Sequence, residues 1–130
     1  MSTRAETVLV VEDDVDLGRV EEMVLSGSGY RVVLAREGAT ALEQLARERP
    51  VLILLDMRMP GMNGWQFMSS LRARYGHAIP VVVVTAAEDA PGRAAEVEAD
   101  GCLAKPFEID DLLRVVERYA GHGGTAESGH

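Results

Sequence analysis

Side chains that can do chemistry stand at the ends of four apolar runs in this 130-residue chain. They are Glu12 and Asp13 after residues 8–11, Asp56 after 51–55, Thr85 after 81–84 and Lys105 after 102–104. An ionised carboxylate is costly to bury without a partner, so buried strands that end in acids indicate a site. If the first and third strands are neighbours, three carboxylates converge and repel one another. A hard divalent cation such as Mg²⁺, which prefers oxygen ligands, would relieve that repulsion.

This set of side chains suits phosphoryl transfer. Asp56 is the candidate nucleophile, which would give an aspartyl phosphate. The metal and the Lys105 ammonium would neutralise charge on the phosphoryl oxygens, while the Thr85 hydroxyl would donate a hydrogen bond to one of them. The backbone carbonyl of Arg58, in the turn after Asp56, is expected to complete the metal shell.

Alternating strands and helices must position these residues. Strands are predicted at 7–12, 31–35, 51–55, 80–84 and 101–104, and helices at 15–27, 38–48, 64–74, 91–99 and 108–120. Continuous apolar strands between amphipathic helices are typical of a parallel sheet covered on both faces. Five such units favour an open, doubly wound α/β fold, in which sites form outside the carboxyl ends of the strands.

Several local expectations accompany this pattern. The helix faces predicted to be buried carry Leu17, Val20 and Val24 in the first helix, and Ile109, Leu112, Leu113 and Val116 in the last. Asp14 and Asn63 are expected to cap the first and third helices. Cys102 is expected to be a small buried apolar residue, and Trp65 only to pack at the start of its helix.

Composition predicts one domain over residues 1–120, followed by a flexible, Gly-rich polar tail at 121–130. A net charge of −8 argues against nucleic-acid and anionic-membrane partners, because a protein surface that binds either one needs clustered Lys and Arg. The single cysteine excludes an intramolecular disulfide and fits a reducing compartment. With neither a signal peptide nor a membrane-length apolar run in view, we expect a soluble, cytoplasmic protein that is a monomer or weak dimer.

Five segments in order resemble the receiver domains of two-component response regulators, over about residues 7–119. They are VLVVEDD (8–14), AREGATAL (35–42), LLDMRMPGMNG (54–64), VVVTA (82–86) and KPF (105–107). The resemblance implies a flavodoxin-like (βα)5 fold with strand order 2-1-3-4-5. It also implies Mg²⁺ as cofactor, and a histidine kinase or histidine phosphotransfer protein as phosphodonor.

The same resemblance assigns roles to individual residues. Asp56 becomes the phosphoacceptor, Glu12 and Asp13 the acidic pair, with Asp13 the more direct metal ligand, and Thr85 the switch hydroxyl. Lys105 would contact the phosphoryl group, and its bond to Pro106 is expected to be cis. The chain departs from the family at Cys102, where an aromatic ring is common, and in the short 20-residue interval from Thr85 to Lys105. Segment 86–99 is therefore expected to carry the switch.

The resulting hypothesis is a stand-alone response regulator that assists its own phosphorylation and dephosphorylation without being a dedicated enzyme. It would act on a downstream protein target. One alternative is a receiver-fold interaction module that signals without phosphorylation. A second alternative is a free-standing aspartate-based phosphatase.

Overall fold

Five strands and five helices alternate along the chain in a computed structural model that describes residues 6–59, 61–86, 88 and 90–120. The strands are β1 (Thr7–Val11), β2 (Arg31–Ala35), β3 (Leu52–Asp56), β4 (Val81–Ala86) and β5 (Gly101–Lys105). The helices are α1 (Val15–Gly27), α2 (Gly38–Arg47), α3 (Gly64–Tyr75), α4 (Ala90–Val97) and α5 (Ile109–Tyr119). Every predicted element is present, with bounds within two residues of those expected. The predicted tail, 121–130, lies outside the described residues.

The strands form one parallel sheet in the order β2-β1-β3-β4-β5, as the resemblance implied. Strand order reverses between β1 and β3, because the chain leaves β1 for β2 on one side and returns to β3 on the other. The register pairs Val11 with Leu55 and Asp56 with Val84, so the carboxyl ends of these strands lie level. A site is expected at this switch point.

Apolar side chains from the two faces of the sheet form two separate cores. One core packs the face of Leu9, Ile53 and Val83 against α2 and α3. The other packs the face of Val10 and Leu54, with their neighbours, against α1 and α5. Because β1, β3 and β4 are covered on both faces, their continuous apolar runs are explained, and their acidic ends stay fixed against a rigid layer.

Side-chain caps at Asp14 and Asn63 set where α1 and α3 begin, and both caps were predicted. The Asp14 carboxylate accepts a hydrogen bond from the Leu17 N–H at 3.1 Å. Asn63 accepts from the Gln66 N–H at 2.9 Å, and the Gln66 side chain accepts from the Asn63 N–H at 2.9 Å, which completes a capping box. The starts of both helices beside the site are thereby fixed.

The face that α1 buries was predicted wrongly by one position. Gly18, Glu21 and Leu25 are the buried residues of α1, whereas Val20 is 43% exposed and Leu17 and Val24 are half-buried. Gly18 allows this rotation, since a Cβ there would lie 3.1 Å from a methyl group of Leu34 in β2. A glycine and a glutamate contribute nothing to an apolar pattern, so the sequence concealed the true face.

Three further expectations need correction in α4, β5 and α5. Ile109 is 54% exposed at the start of α5, although Leu112 and Val116 are buried as predicted. Cys102 is exposed rather than buried, because β5 is an edge strand and α4 is too short to cover the face that Cys102 shares with Val83. α4 ends at Val97 instead of residue 99, since Glu98 adopts a left-handed φ of 57°.

Candidate functional site

Three acidic residues converge at the carboxyl edge of β1 and β3. One carboxylate oxygen from each of Glu12, Asp13 and Asp56 lies within 4.8 Å of the others. Glu12 is 2% and Asp56 4% exposed, whereas Asp13 is more open to solvent. The level register of β1 and β3 causes the convergence, since it places the residues that follow Val11 beside Asp56. The predicted cluster of three carboxylates is therefore present.

Lys105 brings the opposite charge to this cluster from the end of β5. Its Nζ lies 3.1 Å from Glu12 Oε1 and 3.7 Å from Asp56 Oδ2. Burial acts to lower the pKa of Lys105, but the charges of Glu12 and then Asp56 outweigh it and leave the pKa raised. The ammonium therefore stays charged at neutral pH, and its bond to Pro106 is cis as expected.

The carboxyl group of Asp56 is held in one orientation and resists ionisation. The Arg58 N–H donates a hydrogen bond to Asp56 Oδ1 at 3.0 Å. Burial, followed by the charge of Glu12, raises the pKa of Asp56 to about 7, although the Arg58 N–H and the Lys105 charge act in the opposite direction. A cation at the cluster would favour the charged carboxylate, so binding a metal would also prepare a nucleophile.

Thr85 and a largely apolar cavity complete the surroundings. Thr85 is buried near the end of β4 and lines, with Asp56, Arg58 and Lys105, a cavity of about 590 Å³. The cavity continues between α1 and α5, where its walls include Leu17, Val20, Phe107 and Ile109. The structure thus brings Asp56, Thr85 and Lys105 to one opening. That the Arg58 carbonyl is a metal ligand stays a prediction.

The donor set fits a hard divalent cation. Glu12, Asp13 and Asp56 all offer carboxylate oxygens, and the single positive charge of Lys105 does not balance three carboxylates. Mg²⁺ prefers oxygen ligands in a compact octahedron and keeps several waters, which suits a cluster that is open at Asp13. The residues present therefore fit the expected magnesium site.

A fourth acid near the cluster was missed from the sequence. Glu21 is 1% exposed in α1, and neither of its carboxylate oxygens has a hydrogen-bond partner among the described residues. Burial, and then the negative charge of Glu12, raise the pKa of Glu21 to about 8. Its spacing of three residues from Gly18 and four from Leu25 was the available signal, but it indicates burial only once the glycine is recognised as a packing residue.

Trp65 does more than pack at its helix start. Its indole Nε1 donates a hydrogen bond to Glu96 Oε1 in α4 at 3.0 Å. The guanidinium of Arg93 lies over the indole ring, 5.1 Å from its centre. The expectation that Trp65 only packs was wrong, because its indole N–H also finds an acceptor in Glu96, although the ring is exposed.

Comparison by sequence matches this chain to one protein family and to curated regulatory proteins. The family model described as the response regulator receiver domain matches residues 8–117. The Escherichia coli transcriptional regulator NtrC is 38% identical over 117 residues, which cover 88% of this chain and 25% of NtrC. The DNA-binding response regulator MtrA of Mycobacterium tuberculosis is 36% identical over 115 residues, which cover 87% of this chain and 50% of MtrA. The chain thus spans a quarter to a half of these curated relatives.

Solved structures show the same fold. The chemotaxis protein CheY4 of Vibrio cholerae aligns with a TM-score of 0.80 and 28% identity, covering 89% of this chain and 99% of that one. The receiver domain of the sensor histidine kinase PA1611 from Pseudomonas aeruginosa aligns with a TM-score of 0.81 and 31% identity, covering 89% and 98%. That structure is described with a magnesium ion coordinated in its active-site cleft.

Within the part of the chain that the structure describes, no helix has the length and apolar character needed to cross a membrane.

The 2-1-3-4-5 sheet, the acidic cluster at its switch point and the match over residues 8–117 agree with one another. On these grounds the chain belongs to the response regulator receiver domain family.

Proposed function

We propose that Asp56 accepts a phosphoryl group from a histidine kinase or a histidine phosphotransfer protein, and that this event switches protein–protein interactions. The observation that carries the proposal is the setting of the Asp56 carboxyl. It is almost fully buried at the switch point of the sheet, beside two further carboxylates and within 3.7 Å of the Lys105 ammonium. Such a group is placed to react rather than to form a surface turn.

The reaction is a displacement at phosphorus. A carboxylate oxygen of Asp56 forms a new P–O bond while the bond from phosphorus to the donor's imidazole nitrogen breaks. The imidazole leaves with the bonding electron pair and takes up a proton. Lys105 is in reach to pair with the phosphoryl oxygens, and the Thr85 hydroxyl is the proposed donor to one of them.

Glu12, Asp13 and Asp56 are the residues that would hold Mg²⁺, with the Arg58 carbonyl as a further ligand and Asp13 as the most direct. When bound, the ion supplies positive charge that offsets both the mutual repulsion of the acids and the charge of the incoming group. Asp13 is the most accessible of the three acids, so we expect it to admit the hydrated cation.

The surface beside the site favours a protein as phosphodonor. Val20 of α1 and Ile109 at the start of α5 are exposed and line the cavity. Val15 and Met23 are further exposed apolar side chains of α1. Exposed apolar groups around a reactive opening are typical of a docking surface. A helix that presents a histidine would bury these groups while placing its imidazole at Asp56.

The alternatives are less well supported. A module that signals without phosphorylation has no need of Asp56, Thr85 and Lys105 at one opening, yet all three line it. A free-standing aspartate-based phosphatase also stays open to test. That the receiver acts alone, without nucleic-acid or membrane partners, in the cytoplasm and as a monomer or weak dimer, stays a prediction from the sequence.

Labelling with a small phosphodonor tests the function. We expect stable, hydroxylamine-sensitive phosphate on the parent protein with Mg²⁺, and none on Asp56→Asn. Asp110→Asn, which changes an exposed acid of α5, is the matched control and should label like the parent. No labelling of the parent would support the interaction module, and rapid turnover of varied phosphate esters would support the phosphatase.

A further inference from the structure

A cluster of three side chains connects α4 to α3 on the surface. Glu96 Oε1 accepts a hydrogen bond from Trp65 Nε1 at 3.0 Å and lies 3.4 Å from Arg93 NH1. The Arg93 guanidinium lies over the indole of Trp65, 5.1 Å from the ring centre. Each member of this Trp65–Arg93–Glu96 cluster therefore contacts the other two, and the contacts made by Trp65 join α3 to α4.

The rest of α4 is weakly anchored. Among its described residues Ala90 alone is buried, while Ala94 and Val97 are partly buried against the core. Past the end of the helix, Arg72 of α3 donates a hydrogen bond to the Glu98 carbonyl at 2.9 Å. α4 also packs against β4 and β5. Because few of its apolar side chains are buried, we expect a shift of α4 to cost little, so that the polar contacts with α3 can bias its position.

The α3 side of the cluster is tied to the phosphoacceptor. Gly64, which precedes Trp65, donates its N–H to the Met57 carbonyl at 3.0 Å. A Cβ at Gly64 would lie 2.7 Å from the Met57 Cα, so the two backbones are in close contact. Met57 follows Asp56 directly and is fully buried. Trp65 is thus held by a rigid connection to the reacting carboxylate.

The α4 side leads to the site by a second connection. Thr85, the proposed switch hydroxyl, lies near the end of β4, and α4 begins five residues later at Ala90. A movement of Thr85 towards a phosphoryl oxygen would pull on the chain that enters α4. Two connections from one site, through Met57 and through Thr85, therefore meet where Trp65 contacts Glu96.

We propose that the Trp65–Arg93–Glu96 cluster is a latch that holds α4 in its resting position and opens when Asp56 carries a phosphoryl group. The inference rests on the proposed function. Partly exposed hydrogen bonds and ion pairs are individually weak, so one ligand can open such a latch. By linkage, a contact that favours the resting state must lower affinity for the phosphoryl group, and its removal must raise that affinity.

Affinity for a phosphoryl analogue tests the latch. Beryllium fluoride would be titrated by calorimetry in saturating Mg²⁺ against the parent and against Glu96→Ala, Glu96→Gln and Trp65→Phe. We expect Glu96→Ala to bind about fivefold more tightly than the parent. Glu96→Gln keeps an acceptor for the indole and should fall in between, and Trp65→Phe, which keeps a ring but loses the N–H, should also bind more tightly.

A charge-matched control removes the general effect of net charge on anion binding. Glu43 is an exposed glutamate of α2 that forms no ion pair within the described residues, so Glu43→Ala should bind like the parent. Trp65 is the single tryptophan, and its emission should shift on binding in the parent but not in Glu96→Ala.

The outcomes separate the two proposals. If the parent binds beryllium fluoride and all the cluster variants match Glu43→Ala in affinity, or bind more weakly, the latch is wrong and the proposed function stands. If the parent fails to bind at all, the proposed function itself fails.

Discussion

Lys105 and Glu12 form an ion pair across the carboxyl edge of the sheet, from positions 93 residues apart in the chain. Nζ lies 3.1 Å from Oε1 and 3.4 Å from Oε2, so the ammonium is shared between both oxygens of Glu12. Asp56 is the more distant partner. In the resting state Lys105 therefore lies beside the phosphoacceptor Asp56, but its closest ion pair is with Glu12.

Lys105→Ala separates the structural and signalling roles of this lysine. We expect Asp56 to remain phosphorylatable, while the change in amide exchange over residues 85–99 that follows phosphorylation is lost. Removal of the cation leaves Glu12 and Asp56 uncompensated, so without metal the free energy of unfolding should fall by about 1–2 kcal/mol. Urea unfolding with and without Mg²⁺ measures this. Loss of folding even with Mg²⁺ would mark Lys105 as chiefly a structural counter-ion.

Asp13→Asn should weaken Mg²⁺ binding and slow phosphorylation together, each by about tenfold or more, because the accessible ligand of the cluster loses its charge. Calorimetric titration gives the first effect and the rate of labelling the second. Asp16→Asn is the matched control, since Asp16 is an exposed acid in the first turn of α1. Equal Mg²⁺ affinity in the two variants would exclude Asp13 as a ligand.

Asp56→Asn should make the metal-free protein at least as stable as the parent near pH 8. In the fold the pKa of Asp56 is raised from 3.8 to about 7, so ionisation of this group costs stability as the pH rises between those values. An asparagine removes that cost, and Mg²⁺ should reduce the difference by stabilising the charged parent. Thermal unfolding at pH 5 and pH 8 in chelator measures it. A variant markedly less stable than the parent at pH 8 would contradict the view that ionised Asp56, beside other carboxylates, destabilises the metal-free fold.

The strands and the site were predictable because their signals are local. Each buried strand is a continuous apolar run, and the chemistry follows directly at its end, as at Asp56 and Lys105. Parallel pairing brings those ends to one edge of the sheet, and the strand order that the resemblance implied makes β1 and β3 neighbours. The same reasoning holds for Asn63, whose capping contact is with a residue only three positions away.

The errors arose where packing between elements decides. The face of α1 depends on Gly18 fitting against Leu34, a contact between residues that no periodic pattern links. The exposure of Cys102 depends on how far a neighbouring helix reaches across an edge strand. Trp65 forms its hydrogen bond with a partner 31 positions away. Tertiary contacts of this kind leave no signal in a single sequence.

Glu21 offers the sharpest test of the α1 packing. Its pKa is raised from 4.5 to about 8 in the fold, first by burial and then by the charge of Glu12. The unfolded chain ionises this carboxyl from about pH 4.5 upwards, whereas the folded protein keeps it protonated until about pH 8. Stability is therefore lost as the pH rises through that window, and the loss is complete above it. At about 1.4 kcal/mol per pH unit, the cost at pH 7 is of the order of 3 kcal/mol.

Glu21→Gln should remove this pH dependence, and Glu21→Leu should in addition raise stability at every pH, since it fills an apolar site without an unpaired polar group. Urea unfolding between pH 5 and pH 8 would be measured in chelator and in an Asp56→Asn background, because Asp56 titrates in the same window. Glu22→Gln, at the next and exposed position of α1, is the matched control and should keep the pH dependence. If Glu21→Gln and Glu22→Gln show the same slope, Glu21 is solvated, and the rotation of α1 that buries Gly18 and Glu21 is wrong.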